Sequence, residues 1–321
     1  MRAHRRDVPA TSQPAVSVIV PARDAAATLP ATLDALCAQE DPPTYEVIVV
    51  DNGSRDDTAA LAQQAGVTVL RLSRGPGPGV ARHAGAGAAR APVLAFTDAD
   101  CAPAPGWLRA GLCALEHADL VQGRVAPAGP VPALHRTLEV TCESGLYEAA
   151  NLFVRRVAYD AAGGFGAGLE GPGAPPFGED VLFGWAIRRA GLRTAFADEA
   201  LVRHAVLPRS AAAYVRERGR LALFAELIAA VPELRAQLWA GIFLTRRHAK
   251  LWLALAGGIA ALVMRRPGTA LLAGPYAREL LVRARGEEGP TARLAAVHAL
   301  ADLHGLTALA LASARTRTPA L

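Results

Sequence analysis

Residues Val47 to Thr58 read VIVVDNGSRDDT. Four consecutive β-branched residues favour a strand buried on both faces, because branched side chains pack well on a pleated surface. A strand over Glu46 to Val50 therefore delivers Asp51 to a sheet edge. Gly53 permits a tight turn there, and Asp56 and Asp57 precede a helix whose start Thr58 marks. An acceptor-only carboxylate such as Asp51 suits an imide N–H or a ribose hydroxyl. It also suits an Asx turn with Asn52.

The same unit recurs on either side. Upstream, Val16 to Val20 reads as a buried strand stopped by Pro21, followed by a helix over Leu29 to Ala38. Downstream come a helix over Thr58 to Ala65, a strand over Val67 to Leu72, a helix over Val80 to Ala89 and a strand over Val93 to Phe96. This alternation predicts an α/β domain with a mainly parallel sheet. Ligands of such sheets bind at the carboxyl ends of the strands, so Arg23, Asp51 and Asp98 to Asp100 are candidates for one site. The first turn, Pro21-Ala22-Arg23-Asp24, lacks the glycines of a dinucleotide fingerprint. The loop Gly75-Pro76-Gly77-Pro78-Gly79 precedes a helix and reads either as a phosphate cradle or as a plain turn.

Beyond the strand Leu120 to Val125, a Pro/Gly connection (Ala126 to Pro132) leads to a helix-like stretch, Leu134 to Glu148, and a strand, Asn151 to Arg155. The Gly-rich run Gly163 to Gly178, with Pro172, Pro175 and Pro176, has the composition of a substrate-covering loop. It ends at Glu179 and Asp180, which open a helix over Val181 to Ala190 where negative charge is stabilised. Strands over Arg193 to Phe196 and Leu201 to His204 complete a domain expected over 16–210, after a flexible tail over 1–15. From Ala211 to the end the chain turns helical. Leu251 to Met264, flanked by Lys250, Arg265 and Arg266, falls short of the ~20 residues that span a bilayer. Leu294 to Ser313 is long enough but carries His298, Asp302, His304 and Thr307. Amphipathic helices, packed on the domain or lying in a membrane interface, are expected over 211–321.

A chain of 321 residues with 52% hydrophobic and 20% charged residues is globular rather than disordered. Its net charge of +5 is carried mainly by Arg, which can face phosphates, an anionic membrane or solvent. Cys37, Cys101, Cys113 and Cys142 form no CxxC pair and have no His at ligand spacing, so they are expected to be reduced thiols. The first 15 residues hold no apolar stretch of signal-peptide length, so a cytoplasmic catalytic part is expected.

Asp98-Ala99-Asp100 carries the clearest chemistry. Two carboxylates at the end of a buried strand can share one cleft, where a hard divalent ion, Mg²⁺ or Mn²⁺, would act as Lewis acid on a diphosphate leaving group. Glu179 and Asp180 offer a base for an attacking hydroxyl, or simply cap their helix. His204 is a further metal ligand or an ordinary histidine.

Taken in order, VSVIVPARD (Val16 to Asp24), VIVVDNGSRDDT, GVARHAGAGAARAPVLAFTDAD (Gly79 to Asp100), NLFVRR (Asn151 to Arg156), GGF (Gly163 to Phe165) and GEDVLFGWAIRRAG (Gly178 to Gly191) resemble the family 2 glycosyltransferases, over about Val16 to His204. The resemblance implies a GT-A fold and a nucleotide-diphosphate sugar donor, with a UDP-sugar favoured. Ala22, Arg23 and Asp51 would contact base and ribose, Arg82 the phosphates, and Asp98 the ribose or sugar. Asp100 would hold the metal, Mn²⁺ or Mg²⁺, with His204 adding a metal or diphosphate contact. Asp180 would be the general base of an inverting displacement, and Glu179 would bind acceptor or donor hydroxyls. His83 and Ala91 replace the family's frequent Asn and Gly. The QxxRW signature of processive members is absent, so addition of a single sugar is expected, to a glycan or lipid-linked acceptor of the cell envelope. A peripheral membrane surface is a candidate partner, and nucleic acid is not. A sugar-phosphate nucleotidyltransferase fits less well because the first strand lacks its Gly-rich loop. An inactive scaffold of the same fold would have lost acids that are present here.

Overall fold

The computed structural model describes residues 13–73, 75–166, 168–171 and 174–320. Most of the expected N-terminal tail and Pro172 lie outside the described residues. The chain forms two compact units: Met1–Ala126, Glu139–Ala167 and Phe183–His204 make the first, and Pro127–Leu138, Gly168–Leu182 and Ala205–Leu321 make the second.

The first unit is built on β1 (Val16–Ala22), α1 (Leu29–Cys37), β2 (Tyr45–Asp51), α2 (Thr58–Gln64), β3 (Thr68–Arg71), α3 (Pro78–Ala88), β4 (Val93–Thr97), β5 (Cys101–Pro103), α4 (Trp107–Ala114), β6 (Leu120–Pro127), β7 (Asn151–Arg155) and α5 (Arg156–Ala161). The body of α6 (Glu179–Arg189) and β10 (Thr194–His204) complete it. The strands form one sheet in the order β3-β2-β1-β4-β7-β6-β10-β5. β3, β2, β1 and β4 are parallel, whereas β7 runs antiparallel to β4 and β6, and β5 antiparallel to β10. The sheet is thus mixed rather than mainly parallel, and the strands expected over 120–125 and 151–155 are β6 and β7 of its antiparallel half.

Every residue of β1 is buried, and each fully buried Val or Ile there contributes about 1.5–3 kcal/mol. β1 runs two residues past the expected stop. Pairing with β4 ends at Ile19 opposite Phe96, while pairing with β2 continues to Ala22 opposite Asp51. Pro21 therefore sits where no ladder donor is required. Two polar side chains lock the sheet. Asn151 accepts from the Trp107 indole (2.8 Å) and donates to the carbonyls of Arg124 and Ala200. Arg156 donates to the carbonyls of Ala86, Ala89 and Ala91, covering the last turn of α3.

Two expectations need correction. The helix expected over 134–148 does not form: Leu134, Gly145 and Tyr147 all have positive φ, and Arg136 and Val140 make isolated bridges instead. The expected strands over 193–196 and 201–204 are one continuous strand, β10.

In the second unit the Gly-rich run is more regular than expected. β8 (Leu169–Gly171) and β9 (Ala174–Phe177) pair antiparallel, with Phe177 against Phe224. From Ala211 the unit is mainly helical: α7 (Ala211–Glu217), α8 (Ala222–Ala230), α9 (Arg246–Val263), α10 (Gly274–Gly286) and α11 (Thr291–Thr316). Ser210 and Thr245 cap α7 and α9 by accepting the N–H groups of Ala213 and His248. α11 is long and apolar enough to cross a membrane by length and composition. One stripe of it, from Leu294 through His298, Ala301, Gly305 and Leu309 to Ala312, is buried. One of its polar residues is well partnered: Asp302 accepts from the Tyr276 hydroxyl (2.8 Å) and pairs with Arg247 (2.5 Å).

Candidate active site

The parallel half of the sheet sets the site. β2, β1 and β4 end side by side, so Asp51, Ala22 with Arg23, and Asp98 with Asp100 emerge at one edge. Asp51 is buried and accepts the Ser54 N–H, three residues on (3.0 Å), one residue beyond the bond of an Asx turn. The loops after β1 and β2 are laced together. Asp24 N–H donates to Ser54, Ala25 N–H to Thr58, Ala26 N–H to Asp56, and Arg55 N–H to Asp24. Asp56 also accepts from the backbone N–H of Thr58, opening α2 where the sequence marked it.

The Gly-Pro loop closes the same corner. Gly75 has φ +57, and a Cβ there would meet the Arg23 guanidinium at 2.8 Å and the Asn52 carbonyl at 2.9 Å. Only glycine fits both the turn and the approach. The Arg23 side chain, half exposed, thus lies across this loop.

At the end of β4, Arg82 reaches from α3 to Asp98 with an N–O distance of 2.6 Å; the Arg side chain is 6% exposed and the Asp side chain 30%. The charge of Asp98 is thus held on a rigid helix. Arg82 also lies over the Phe165 ring, part of an aromatic cluster with Phe96, Tyr159 and Phe183. His83, at the family's Asn position, faces the Tyr159 hydroxyl through Nδ1 at 3.1 Å.

The short edge strand β5 pairs antiparallel with the end of β10, setting His204 opposite Cys101. The pairing brings His204 Nε2 to 3.5 Å from Asp100 Oδ2. Donor atoms of Asp100, Cys101 and His204 all lie within 4.8 Å of one another. Sequence spacing had given the cysteines no histidine neighbour; strand register supplies one. Burial and the charges of Asp98 and Asp100 push the Cys101 thiol well above its usual range. Sulfur is in any case a poor ligand for a hard divalent ion, which prefers oxygen and nitrogen donors. The remaining donors, one carboxylate and one imidazole, fit a divalent ion that takes oxygen and nitrogen ligands, and nitrogen suits Mn²⁺ better than Mg²⁺. Coordination positions beyond these two would be left for phosphate oxygens and water.

Glu179 and Asp180 occupy the first turn of α6 and belong to the second unit. Gly178 precedes them with φ +74, and a Cβ there would meet Leu227 at 2.9 Å. Glu179 is buried, and an Asp180 oxygen accepts the Val181 N–H at 2.9 Å.

Residues 17–165 match the family described as Glycosyl transferase family 2. Glycosyltransferase AglE of Haloferax volcanii is 30% identical over 213 residues, 61% of this chain and 68% of that protein. An uncharacterized glycosyltransferase of Mycobacterium tuberculosis is 42% identical over 122 residues, 38% of this chain and 52% of that protein, so the chain spans about half of that relative. The fold is similar to that of the mannosyltransferase PcManGT from Pyrobaculum calidifontis, determined in complex with GDP-Man and Mn²⁺. The TM-score is 0.59 at 19% identity, over 96% of this chain and 88% of that one. The chain belongs to the family 2 glycosyltransferases and has a GT-A-type mixed α/β sheet followed by a helical C-terminal region.

Proposed function

We propose that the enzyme moves one sugar from a nucleoside-diphosphate sugar, a UDP-sugar by preference, to the hydroxyl of a glycan or lipid-linked acceptor, with inversion and without processive extension. The observation that carries this reading is the pairing of Asp100 with His204 at 3.5 Å beside an Asp98 fixed by Arg82. It forms a charged edge next to the corner where Ala22, Arg23 and Asp51 would hold base and ribose. Asp98 would bind ribose or sugar, and Arg82 would stand near the phosphates. A divalent ion held by Asp100 and His204 would neutralise charge on the departing diphosphate. Similarity of fold to a protein that holds GDP-Man and Mn²⁺ supports such a donor and metal.

Asp180 would take the acceptor proton as the hydroxyl oxygen bonds to the anomeric carbon and the bond to the diphosphate breaks on the opposite face. Glu179 would position sugar or acceptor hydroxyls. The test is binding and turnover with UDP-, GDP- and dTDP-sugars in Mn²⁺ or Mg²⁺, comparing wild type, Asp100→Ala and Asp180→Asn. Metal-dependent binding lost in Asp100→Ala, with binding kept but turnover lost in Asp180→Asn, is the expected result. Absence of binding by every donor would leave a scaffold with a retained fold.

The enzyme would work at the cytoplasmic face of a membrane. Ile259, Leu262, Val263 and Leu271 are 62–82% exposed and adjoin Arg265 and Arg266, a combination suited to an anionic interface. Flotation of the full chain with anionic liposomes tests this: Leu262→Asp/Leu271→Asp should lose the bound fraction, and equal flotation of both forms sinks the idea.

A further inference from the structure

Positive charge concentrates in one cavity of the second unit. It measures about 420 Å³ and contains Arg136, Arg209, Arg218, Arg220 and Arg283 against Glu217 and Glu287, which leaves three cations in excess. Both carboxylates are already engaged. Glu217 accepts from Arg209 at 2.6 Å, and Glu287 accepts from Arg283 at 3.1 Å and from His298 at 2.8 Å.

The Tyr214 hydroxyl is equally committed. Its oxygen receives Arg218 at 2.9 Å and Arg283 at 3.2 Å and faces His298 Nδ1 at 3.1 Å. With His298 donating from Nε2 to Glu287, its Nδ1 takes the tyrosine proton, and both oxygen lone pairs are used by guanidinium groups. Arg209 donates to the carbonyls of Leu134 and His135, which fixes the wall that carries Arg136. The backbone of Arg136 is pinned to Leu207 on both its N–H and its carbonyl. The exposed Arg136 and Arg220 make no carboxylate pair among the described residues.

We propose that this cavity binds a phosphate or diphosphate ester. Guanidinium forks match phosphate oxygens in pairs, and a doubly or triply charged ester balances the excess. The cavity lies within the size range of small-molecule sites. Calling the ester the acceptor rests on the transferase reading above; the anion site does not.

Inorganic pyrophosphate titrated calorimetrically into the full chain, in chelator, tests the site. Wild type should bind one equivalent, Arg136→Ala/Arg220→Ala at least tenfold more weakly, and Asp100→Ala like wild type. Neither altered arginine supports a carboxylate partner, so an unchanged melting temperature in the double variant checks its fold. No saturable binding, or equal binding by the double variant, overturns the proposal. Retention on phosphatidic-acid vesicles but not on phosphatidylcholine vesicles, abolished in the double variant, assigns the anion to a lipid headgroup. Competition by a sugar phosphate without vesicle retention assigns it to a soluble ester. Failure of every nucleotide sugar to bind, with pyrophosphate binding intact, would remove the transferase roles and leave the anion site standing.

Discussion

His204 Nε2 stands 3.5 Å from Asp100 Oδ2 because β10 and β5 pair His204 with Cys101. His204→Ala removes a nitrogen donor and leaves the acid. Mn²⁺-dependent nucleotide affinity, read by calorimetry, should fall at least tenfold. Cys101→Ser should stay within about threefold of wild type, because sulfur contributes little to a hard ion. A larger loss in Cys101→Ser would make the sulfur a ligand.

Arg82 and Asp98 predict a second result. Arg82→Ala takes a buried cation from a partly exposed carboxylate and leaves a void over Phe165. Stability should fall by about 1–3 kcal/mol, between the values for exposed and fully buried pairs, and donor KM should rise. Arg82→Lys keeps charge but loses the planar fork, and should restore stability more than KM. Chemical denaturation and steady-state kinetics read the two effects separately.

Gly75 and Gly66 form a matched pair. Both have positive φ, but a Cβ at Gly75 would strike Arg23 and Asn52, whereas at Gly66 nothing lies within 4 Å. Gly66→Ala should cost about 1 kcal/mol, the left-handed penalty alone. Gly75→Ala should cost more and displace Arg23, lowering donor affinity as well as melting temperature. Equal melting shifts would count against the packed corner.

Acid should destabilise the helical unit. Burial pushes His298 and His248 below their usual 6.5, so the folded chain binds fewer protons than the unfolded chain just below that pH. Stability from these groups is complete above about pH 6.5 and is lost as pH falls through the lowered values. His298→Gln, which can still donate to Glu287 and accept from Tyr214, should flatten the slope of stability between pH 6.5 and 5. A slope unchanged in this variant would place the acid sensitivity elsewhere.

The parallel half was legible because β-branched runs leading to Asp51 and Thr97 announce strands and their ends, whereas β1 runs on past the stop read at Pro21. Thr58 likewise marked a real helix start. In the antiparallel half β6, β7 and the ends of β10 were legible too, and β5 was not. β5 is three residues long, too short for a periodic signal, and its partner stands far along the chain. Residues 134–148 have apolar spacing that suits a helix, but left-handed backbone at Leu134 and Tyr147 overrides it. His298 and Asp302 of α11 looked like interruptions because their partners, Tyr214 and Glu287 for the first and Arg247 and Tyr276 for the second, come from elsewhere in the chain. NLFVRR was visible as a motif; its physical content, the Asn151 and Arg156 staples, needed the carbonyls they reach.

The β5–β10 ladder makes the acidic edge sensitive to frame. A deletion or insertion within β10 that shifted the pairing by one would bring Arg203, now opposite Ala102, to the place of His204. A guanidinium would then stand where an imidazole faces Asp100, exchanging a ligand for a competing cation. Length changes in that strand should therefore abolish metal binding even where the sheet itself survives.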